Sequence, residues 1–438
     1  MAVDRDPGSR ATATDRPPAH SLLANGVPLI VNVLGAGVTG FVFWIVTARA
    51  VDPSVVAQAT AMVASMFGVA QLSQQHLIAN VPPLIAASPH PRRVAGRAYA
   101  LAAVLTAIAA LGYVVIGPRV ASGLEFLADA ELAALFVAGC LAWSWFSLQD
   151  AVLAGVRKGH VVLAENTAWG VARLMIVLLL PIAGLELSLG WIVGSWLLPA
   201  IALVIVVSWY LFGGSTAVLR TPLGDHTFDR RTLLTYMGLE HLTAIANGIA
   251  TILLPAVALS LLGAGAAAPF LTAYSLILVC ENALASFAGA FAVELRRSAR
   301  SAGQLLRVTG VLLFVGSVAV IVAALLFAED LMGLFGSEYR TPGGAVLTVL
   351  VLGLPGRSVW LIASAINRVN AAGVRNLVQQ LAYTVVLVAT LLLVDPESGT
   401  AIAWCAVIAR WAAAAVSAVD IVALRRRDAG AQPMVSLV

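Results

Sequence analysis

Charged residues are scarce in this chain. They make up 11% of its 438 residues, with one lysine against 25 arginines, whereas 60% of the residues are hydrophobic. An ordinary soluble domain carries about 25% charged and about 45–50% apolar residues. Because no soluble globule could bury such a surplus of apolar side chains, the sequence predicts a protein surrounded largely by lipid.

Motifs of soluble enzymes are also missing from the sequence. The lysine, Lys158, stands in GVRKGH without a glycine-rich phosphate loop before it, which argues against ATP hydrolysis. Cys140, Cys280 and Cys405 fall in predicted spans, so no disulfide framework is expected, and no cysteine–histidine cluster has zinc spacing. No nucleophile is paired with a base. The sequence therefore predicts a carrier rather than an enzyme, without metal or cofactor, and it leaves a coupling ion (H⁺ or Na⁺) open.

Apolar runs long enough to cross a bilayer recur along the whole chain. They must be helices, since only a helix satisfies its backbone hydrogen bonds within such a segment. The predicted fold class is an all-α polytopic membrane protein with twelve transmembrane helices in two pseudo-symmetric six-helix lobes around a central cavity. The predicted spans are 24–48, 54–84, 95–117, 131–155, 161–185, 188–212, 233–260, 266–293, 305–328, 342–366, 374–394 and 400–424.

The distribution of arginine predicts the orientation of these spans. With a cytoplasmic N-terminus, 20 of the 26 lysines and arginines lie on the inner side, and the outer loops hold only Arg49, Arg119 and Arg340. Arg49 ends the first span and is expected to be an anchor near the outer surface. Both termini are therefore predicted to be cytoplasmic. Because the arginines are spread over short loops, nucleic acid is not an expected partner.

An internal repeat divides the chain in two. At a shift of about 213 residues AENTAWGVARLMIVLLLP lies over VQQLAYTVVLVATLLLVD, and Trp191 falls on Trp404. Six spans per unit make the repeat parallel, and transporters of this kind bind substrate between the halves. The predicted domains are a disordered cytoplasmic tail (1–22), an N-terminal lobe (23–212), a cytoplasmic inter-lobe loop (213–232), a C-terminal lobe (233–424) and a basic cytoplasmic tail (425–438).

Polar side chains recur at helical spacing on the first two spans of each predicted lobe. Such stripes either join helices, at about 0.6 kcal/mol for each hydrogen bond, or line a wet cavity, and their presence on four equivalent helices favours the cavity. Gln71, Gln74 and Gln75 lie on the other face of the second span and are expected to pack between helices or border the cytoplasmic mouth. The cavity candidates on the stripes are Asn25, Asn32, Thr39, Gln58, Ser73, His76, Asn80, Tyr236, Glu240, Asn247, Tyr274, Glu281 and Asn282.

Charged side chains within the spans cost at least about 2.5 kcal/mol each at mid-membrane unless they are paired or hydrated. Glu240 and Glu281 lie on striped helices, which favours a functional role. Arg357 follows LPG in the tenth span, where a break would turn it towards the cavity, and it completes the set of candidates. Two further arginines are expected to have structural partners within a lobe. These are Arg173 and Arg410, with Glu165, Asp150 or Asp420 as partners.

Two passages resemble a known family. They are NVLGAGVTGFVFWIVTARAVDPSVVAQATAMVAS in the first two spans and LMGLFGSEYRTPGGAVLTVLVLG between the ninth span and the tenth. Together with the six-plus-six repeat, they make the chain over about residues 21–425 similar to the multidrug/oligosaccharidyl-lipid/polysaccharide exporter (MOP) superfamily. Within it, the chain looks like a polysaccharide biosynthesis protein of the Wzx-type (O-antigen) flippases. The resemblance implies a cavity lined by the first, second, seventh and eighth helices.

The resemblance also implies a function. It is the translocation of an undecaprenyl-diphosphate-linked oligosaccharide from the inner to the outer leaflet of the bacterial cytoplasmic membrane by alternating access. The expected partners are membrane lipids and the glycosyltransferases or polymerase of the same pathway. Family members often place cationic residues in the cavity for the diphosphate. Here the first two helices offer only His76 and Arg49, which leaves His76, Arg357 and helix-end dipoles as candidates.

Two other functions stay open. A cation-coupled multidrug exporter of the same superfamily would use Glu240 and Glu281 to bind the ion and an organic cation. Against it, the first span has no acidic residue for an ion site in the N-terminal lobe. A non-transporting membrane scaffold for glycan-assembly enzymes would tolerate the loss of the polar side chains in the cavity.

Overall fold

The computed structural model describes residues 35, 37–213, 217–220, 230–297, 302–370 and 372–429, and this part of the chain is almost entirely helical. A 3-10 helix, Ser122–Ala128, lies between the third and fourth α-helices. The α-helices are α1 (Gly37–Ala50), α2 (Pro53–Ala87), α3 (Pro91–Val120), α4 (Ala130–Gly155), α5 (Gly159–Ile182), α6 (Leu189–Phe212), α7 (Arg230–Leu262), α8 (Ala264–Arg297), α9 (Ala302–Gly333), α10 (Ser337–Val351), α11 (Leu354–Val369), α12 (Gly373–Val394) and α13 (Gly399–Ala429).

The predicted all-α membrane fold is confirmed. Ten of the described helices are long and apolar enough to cross a membrane, and α10 and α11, bent by 41° to each other, pass the same test as a pair and bring the number to eleven if they form one span. The shorter apolar helix α1 lies at the first predicted span. The predicted basic tail 425–438 begins inside a helix, since α13 continues to Ala429.

Proline and short polar side chains set the starts of the helices. Pro53 and Pro91 occupy first turns, where the missing N–H group costs no hydrogen bond. The Asp129 carboxylate accepts hydrogen bonds from the backbone N–H groups of Glu131 and Leu132, at 2.9 and 3.0 Å, and so caps α4. These are the proline- and charge-containing joints between the predicted spans.

The internal repeat is visible in the helix boundaries. Shifted by about 213 residues, α3 would occupy 304–333, and α9 is Ala302–Gly333. The same shift carries α5 to 372–395, where α12 runs from Gly373 to Val394. The correspondence fails at one place: α4 is continuous, whereas its counterpart is broken into α10 and α11. The two lobes are therefore alike in path but differ at the tenth span.

The α-helices form two groups, and the contacts of α2 with α7 and α8 join one group to the other. Helices α2–α6 contact one another, as do α7–α13, and the largest contact between the groups joins α2 to α7. The apolar stretch of α2 is 72% buried, against 22% for those of α3 and α9. Because α2 is the most buried of the described spans and α3 and α9 the least, α2 lies at the centre while α3 and α9 present apolar side chains to lipid.

Candidate substrate path and buried charge cluster

Helices α2 and α7 approach each other through glycine. A methyl group at Gly248 would lie 2.4 Å from Leu72 Cγ and 2.8 Å from the Gly68 carbonyl oxygen. One at Gly68 would lie 2.4 Å from Ile252 Cγ1. Small residues of this kind allow the backbones of membrane helices to come close. The backbones of α2 and α7, which belong to different lobes, therefore lie close together here.

Amide side chains surround this glycine contact. Asn247 Nδ2 on α7 donates hydrogen bonds to Gln71 Oε1 at 2.8 Å and to Gln75 Oε1 at 3.2 Å, both on α2. Thr251 Oγ1 donates to Gln71 Oε1 at 3.3 Å. The expectation that Gln71 and Gln75 pack between helices is confirmed, and the helices belong to different lobes. Gln74 faces α4 instead and accepts a hydrogen bond from Ser144 Oγ at 3.1 Å.

A histidine pair continues the same contact. The Nδ1 atoms of His76 and His241 are 3.0 Å apart, and the ring centroids are 4.4 Å apart. One ring must donate the proton and the other accept it, so the contact exists only when at least one imidazole is neutral. His241 was not among the predicted candidates. We call Gln71, Gln75, His76, His241, Asn247 and Thr251 the lobe interface.

The other candidates on the N-terminal stripes lie elsewhere. Ser73 and Asn80 are buried and donate hydrogen bonds within α2, to the carbonyl oxygens of Val69 and His76. Thr39 packs against α5, where a methyl group at Gly170 would lie 2.8 Å from its hydroxyl oxygen. Gln58 is half-buried. Among the predicted candidates on α2, the structure shows a polar side-chain contact with α7 for His76, which meets His241.

The remaining candidates are distributed over α7 and α8. Glu240 is buried, and its Oε1 has no hydrogen-bond partner. Tyr274 is buried within the C-terminal lobe and stacks on Phe270 at 6.1 Å. Asn282 is exposed. The candidates Asn25 and Asn32, and the side chain of Tyr236, lie outside the described residues, so their cavity roles stay predictions.

Three charged side chains meet inside the C-terminal lobe. Glu281 Oε1 on α8 lies 2.7 Å from Arg410 Nη2 on α13, and its Oε2 lies 3.4 Å from Arg357 Nε on α11. Arg410 is 2% exposed, and Glu281 is 9% exposed. The expected pairing of Arg410 with Asp420 is therefore wrong, because Glu281 occupies its guanidinium. We call Glu281, Arg357 and Arg410 the charge cluster.

The break in the tenth span positions the charge cluster. It occurs at Leu352 and Gly353, directly before the predicted LPG, and the Leu352 carbonyl oxygen accepts a hydrogen bond from Trp411 Nε1 at 3.0 Å. A methyl group at Gly353 would lie 2.7 Å from Arg410 Cδ, so this glycine admits the arginine stem. Arg357 then stands in the first turn of α11, with its guanidinium 4.1 Å from the ring centroid of Trp360.

Asp420 has other partners than the predicted one. Its carboxylate accepts hydrogen bonds from Asn367 Nδ2 at 2.9 Å, Gln379 Nε2 at 2.6 Å and Arg375 Nη1 at 3.0 Å. These groups belong to α11 and α12, so Asp420 joins three helices near the predicted inner end of the lobe.

Arg173 also departs from its predicted pairing. Its guanidinium lies 4.0 Å from the ring centroid of Trp169 and 4.2 Å from that of Trp196, which attract the cation through their π faces. Its Nε and Nη1 make no hydrogen bond. The pairing with Glu165 is wrong because Glu165 lies eight residues away on the same helix, about 12 Å along its axis. Asp150 bonds to Asn166, which is about 10 Å from Arg173 along that axis.

A second contact between the lobes lies at the predicted outer end. Arg49 Nε, at the end of α1, donates a hydrogen bond to the Leu334 carbonyl oxygen at 2.7 Å. Phe41 meets Phe335 edge to face, with centroids 5.4 Å apart. Leu334 and Phe335 belong to the LFGSEY passage, whose Gly336 has a φ of 149° that favours glycine. A cleft of about 500 Å³ opens beside this contact.

Arg49→Gln is expected to loosen the outer contact, because glutamine is shorter and carries no charge. Labelling of Ser54→Cys, at the mouth of a neighbouring cleft, by a water-soluble thiol reagent should accelerate about fivefold. The control is Arg340→Gln, which removes an exposed ion pair with Asp330 and should leave labelling unchanged. Equal labelling rates in all three backgrounds would show that the Arg49 contact does not hold the lobes together.

Several solved structures have a fold similar to that of this chain. Models of protein families give no match to the chain, and neither do curated proteins. The inward-facing conformation of a multidrug resistance MATE family transporter of the MOP superfamily is similar, with a TM-score of 0.63 at 16% identity over 94% of this chain and 98% of that chain. The outward-facing conformation of a multidrug resistance MATE family transporter of the MOP superfamily has a TM-score of 0.58 at 16% identity, over 95% of this chain and 97% of that chain.

A MOP superfamily transporter from Pyrococcus furiosus, described as having a binding pocket of reverse polarity, is similar as well. Its TM-score is 0.60 at 16% identity, over 95% of this chain and 97% of that chain. At such identities the likeness shows the fold alone, and the fold of this chain is that of the MOP superfamily transporters. The narrower resemblance to Wzx-type flippases stays a prediction.

Proposed function

We propose that this chain carries a lipid-linked oligosaccharide, with undecaprenyl diphosphate as the carrier, from the inner to the outer leaflet of the bacterial cytoplasmic membrane by alternating access. Both termini would face the cytoplasm. Its partners would be the membrane lipids and the glycosyltransferases or polymerase that make and extend the glycan.

The observation that carries this proposal is the amide chemistry of the lobe interface. Gln71, Gln75 and Asn247 satisfy one another while α2 and α7 are in contact. When the lobes separate, the same amides would face the opening between them. Each amide both donates and accepts hydrogen bonds, as sugar hydroxyl groups do, and none carries a fixed charge. Such an opening suits a neutral glycan better than an ion.

The similar solved structures support the proposed alternation between two states. The same MOP fold exists in an inward-facing and an outward-facing conformation of one transporter family. In this chain the lobe interface and the Arg49 contact both join the lobes, at different depths. Alternating access would require the two contacts to break in turn.

The first test is the leaflet distribution of undecaprenyl-diphosphate glycans in cells depleted of this protein. We expect the glycans to accumulate on the cytoplasmic side and the wild-type chain to reverse this. Asn247→Leu should fail to restore the distribution, because leucine removes the donor to both glutamines. Asn166→Leu, on α5 and bonded to Asp150 within the N-terminal lobe, is the matched control and should restore it. An unchanged glycan distribution on depletion would refute the proposal.

A second candidate function rests on Glu240. This buried carboxylate on α7 has an oxygen without a hydrogen-bond partner, as a site for a proton or sodium ion would. A cation-coupled multidrug exporter would need it, and the fold is shared with multidrug resistance transporters. Loss of drug resistance in Glu240→Gln, with glycan distribution unaltered, would favour this function.

A further inference from the structure

The pair of His76 and His241 lies in the middle of the packing contact between the lobes. On α2, Gly68, Leu72 and His76 follow one another at four-residue spacing, so they share one face of the helix. On α7, His241 and Gly248 are seven residues apart and share a face in the same way. A methyl group at Gly248 would lie 2.4 Å from Leu72 Cγ, so these two faces pack on each other. Separation of the two rings therefore acts directly on the contact between α2 and α7.

The distance between the rings limits how many protons the pair can hold. The two Nδ1 atoms are 3.0 Å apart, which requires a proton on one nitrogen and a lone pair on the other. Two neutral rings meet this requirement, and so does one charged ring beside a neutral ring, whose hydrogen bond is strengthened by the charge. With a second proton both Nδ1 atoms are donors, and two positive rings stand at a centroid distance of 4.4 Å. The closed contact therefore admits the first proton and excludes the second.

The two rings differ in their access to water. His76 is 4% exposed, whereas His241 is half-buried. A proton can therefore reach His241 while the lobes are in contact, and it reaches His76 when α2 and α7 move apart. Imidazole is the side chain whose unperturbed charge change falls between about pH 5 and 8. The pair thus combines a titratable group with a contact that depends on its charge.

No carboxylate next to the pair compensates a second positive charge in the described part of the chain. Glu240 precedes His241, and its side chain leaves α7 about 100° around the helix from that of His241. The other buried or half-buried charged side chains on the helices packed against α2 and α7 are Asp150 on α4, Glu281 and Glu294 on α8, and Arg410 and Asp420 on α13. His76 interacts electrostatically with His241, and none of these side chains acts on either ring. Tyrosine and cysteine side chains are neutral below about pH 8.

We propose that His76 and His241 form a proton-binding site which opens the contact between α2 and α7 when it takes up its second proton. With no proton or one proton bound, the rings hold the lobes together, and with two they repel each other. Because binding and opening are linked, opening strengthens the binding of the second proton by the same factor by which that proton favours opening. The site acts on the lobe contact itself, so it goes beyond the proposed function and holds for any cargo.

The test measures the distance between the predicted inner ends of the lobes in the full-length protein in detergent micelles. Spin labels are attached to Ala86→Cys at the end of α2 and Val374→Cys at the start of α12, both exposed positions. A methyl group at Gly373 would lie 3.3 Å from Leu239 Cβ, so the second label follows the part of α7 that carries His241. Cys280→Ala removes the accessible native thiol, since Cys140 and Cys405 are buried. In pulsed EPR, lowering the pH from about 8 to about 5 should raise the population with separated labels about tenfold.

Two variants show whether the histidines cause this response. His241→Gln and His76→Gln each leave one imidazole, so the pair can carry at most one positive charge, and the amide can still donate or accept the hydrogen bond. In both variants the labels should stay at the closed distance at either pH. Each variant is sufficient by itself, so one that does not fold leaves the other to decide. His160→Gln, at an exposed histidine on α5, and Glu240→Gln should respond like the wild type.

Three results would overturn the proposal. They are a wild-type distance that does not change with pH, a response that persists in the glutamine variants, and a response that is lost in Glu240→Gln, which would assign it to the carboxylate. Failure of the proposed function is seen separately. If depletion leaves the glycans in place while the pH response requires both histidines, the proton site stands and the proposed function fails. If depletion moves the glycans but the distance ignores pH, the function stands and the proton site fails.

Discussion

Replacing Gly248 with valine should lower the rate of glycolipid transport about tenfold or more. A methyl group at this position already lies 2.4 Å from Leu72 Cγ and 2.8 Å from the Gly68 carbonyl oxygen, and one of these atoms is backbone. Helix α7 would have to move away from α2 to admit the larger side chain. Overpacking of this kind costs about 1–3 kcal/mol, which shifts a two-state equilibrium by about 5- to 150-fold. The state with α2 and α7 in contact would become rare.

Transport by purified protein in liposomes, with a short-chain lipid-linked glycan, is the measurement. Gly238→Val is the matched control, because Gly238 lies on the same helix and a methyl group there meets nothing within 4 Å. It should transport like the wild type. If Gly248→Val also transports normally, contact between α2 and α7 at the glycines is not a step of the cycle.

Asp420→Ala is expected to lower the free energy of unfolding by about 2–6 kcal/mol, since it leaves the buried amide donors of Asn367 and Gln379 unsatisfied, at about 1–3 kcal/mol each. Asn367 and Gln379 are 0% exposed, and both donate to this carboxylate. Alanine cannot accept a hydrogen bond through its side chain, and water has little access to the site. Three helices would lose their common acceptor.

Unfolding in mixed micelles measures this loss, and the exposed pair of Asp330 and Arg340 gives the control. That pair is also short, at 2.7 Å, but Asp330 is 67% exposed. Its removal by Asp330→Ala should cost about 0–1 kcal/mol. Similar losses in the two variants would mean that burial does not set the strength of the Asp420 contacts.

The spans and the break of the tenth span could be predicted because both are local properties of the sequence. An apolar run of sufficient length predicts a membrane helix, and the proline of LPG predicts a point where a helix is interrupted. The partner of Arg410 could not be predicted in this way, because Glu281 lies on another helix. Asp420 was an unsuitable choice on simple geometry, since ten residues of one helix span about 15 Å along its axis.

The lobe interface was predicted in part. Helical spacing separated the face of His76 from the face of Gln71 and Gln75, but it does not tell which face meets another lobe. A signal was available in Gly68 and Gly248, small residues on the two helices beside those polar side chains. His241 lies about 100° around α7 from Glu240, so the polar stripe through Glu240 did not include it.

Because of the break between α10 and α11, α10 would rotate as a rigid rod about its end at Val351. The helix runs from Ser337, beside the turn held by Arg49, to Val351, beside the glycine packed on Arg410. Its length is about 22 Å, so a rotation of about 10° at the break would displace the far end by about 4 Å. The hydrogen bond from Arg49 to Leu334 is 2.7 Å long and would not survive such a displacement. Rearrangement of the charge cluster would in this way be transmitted to the outer contact between the lobes.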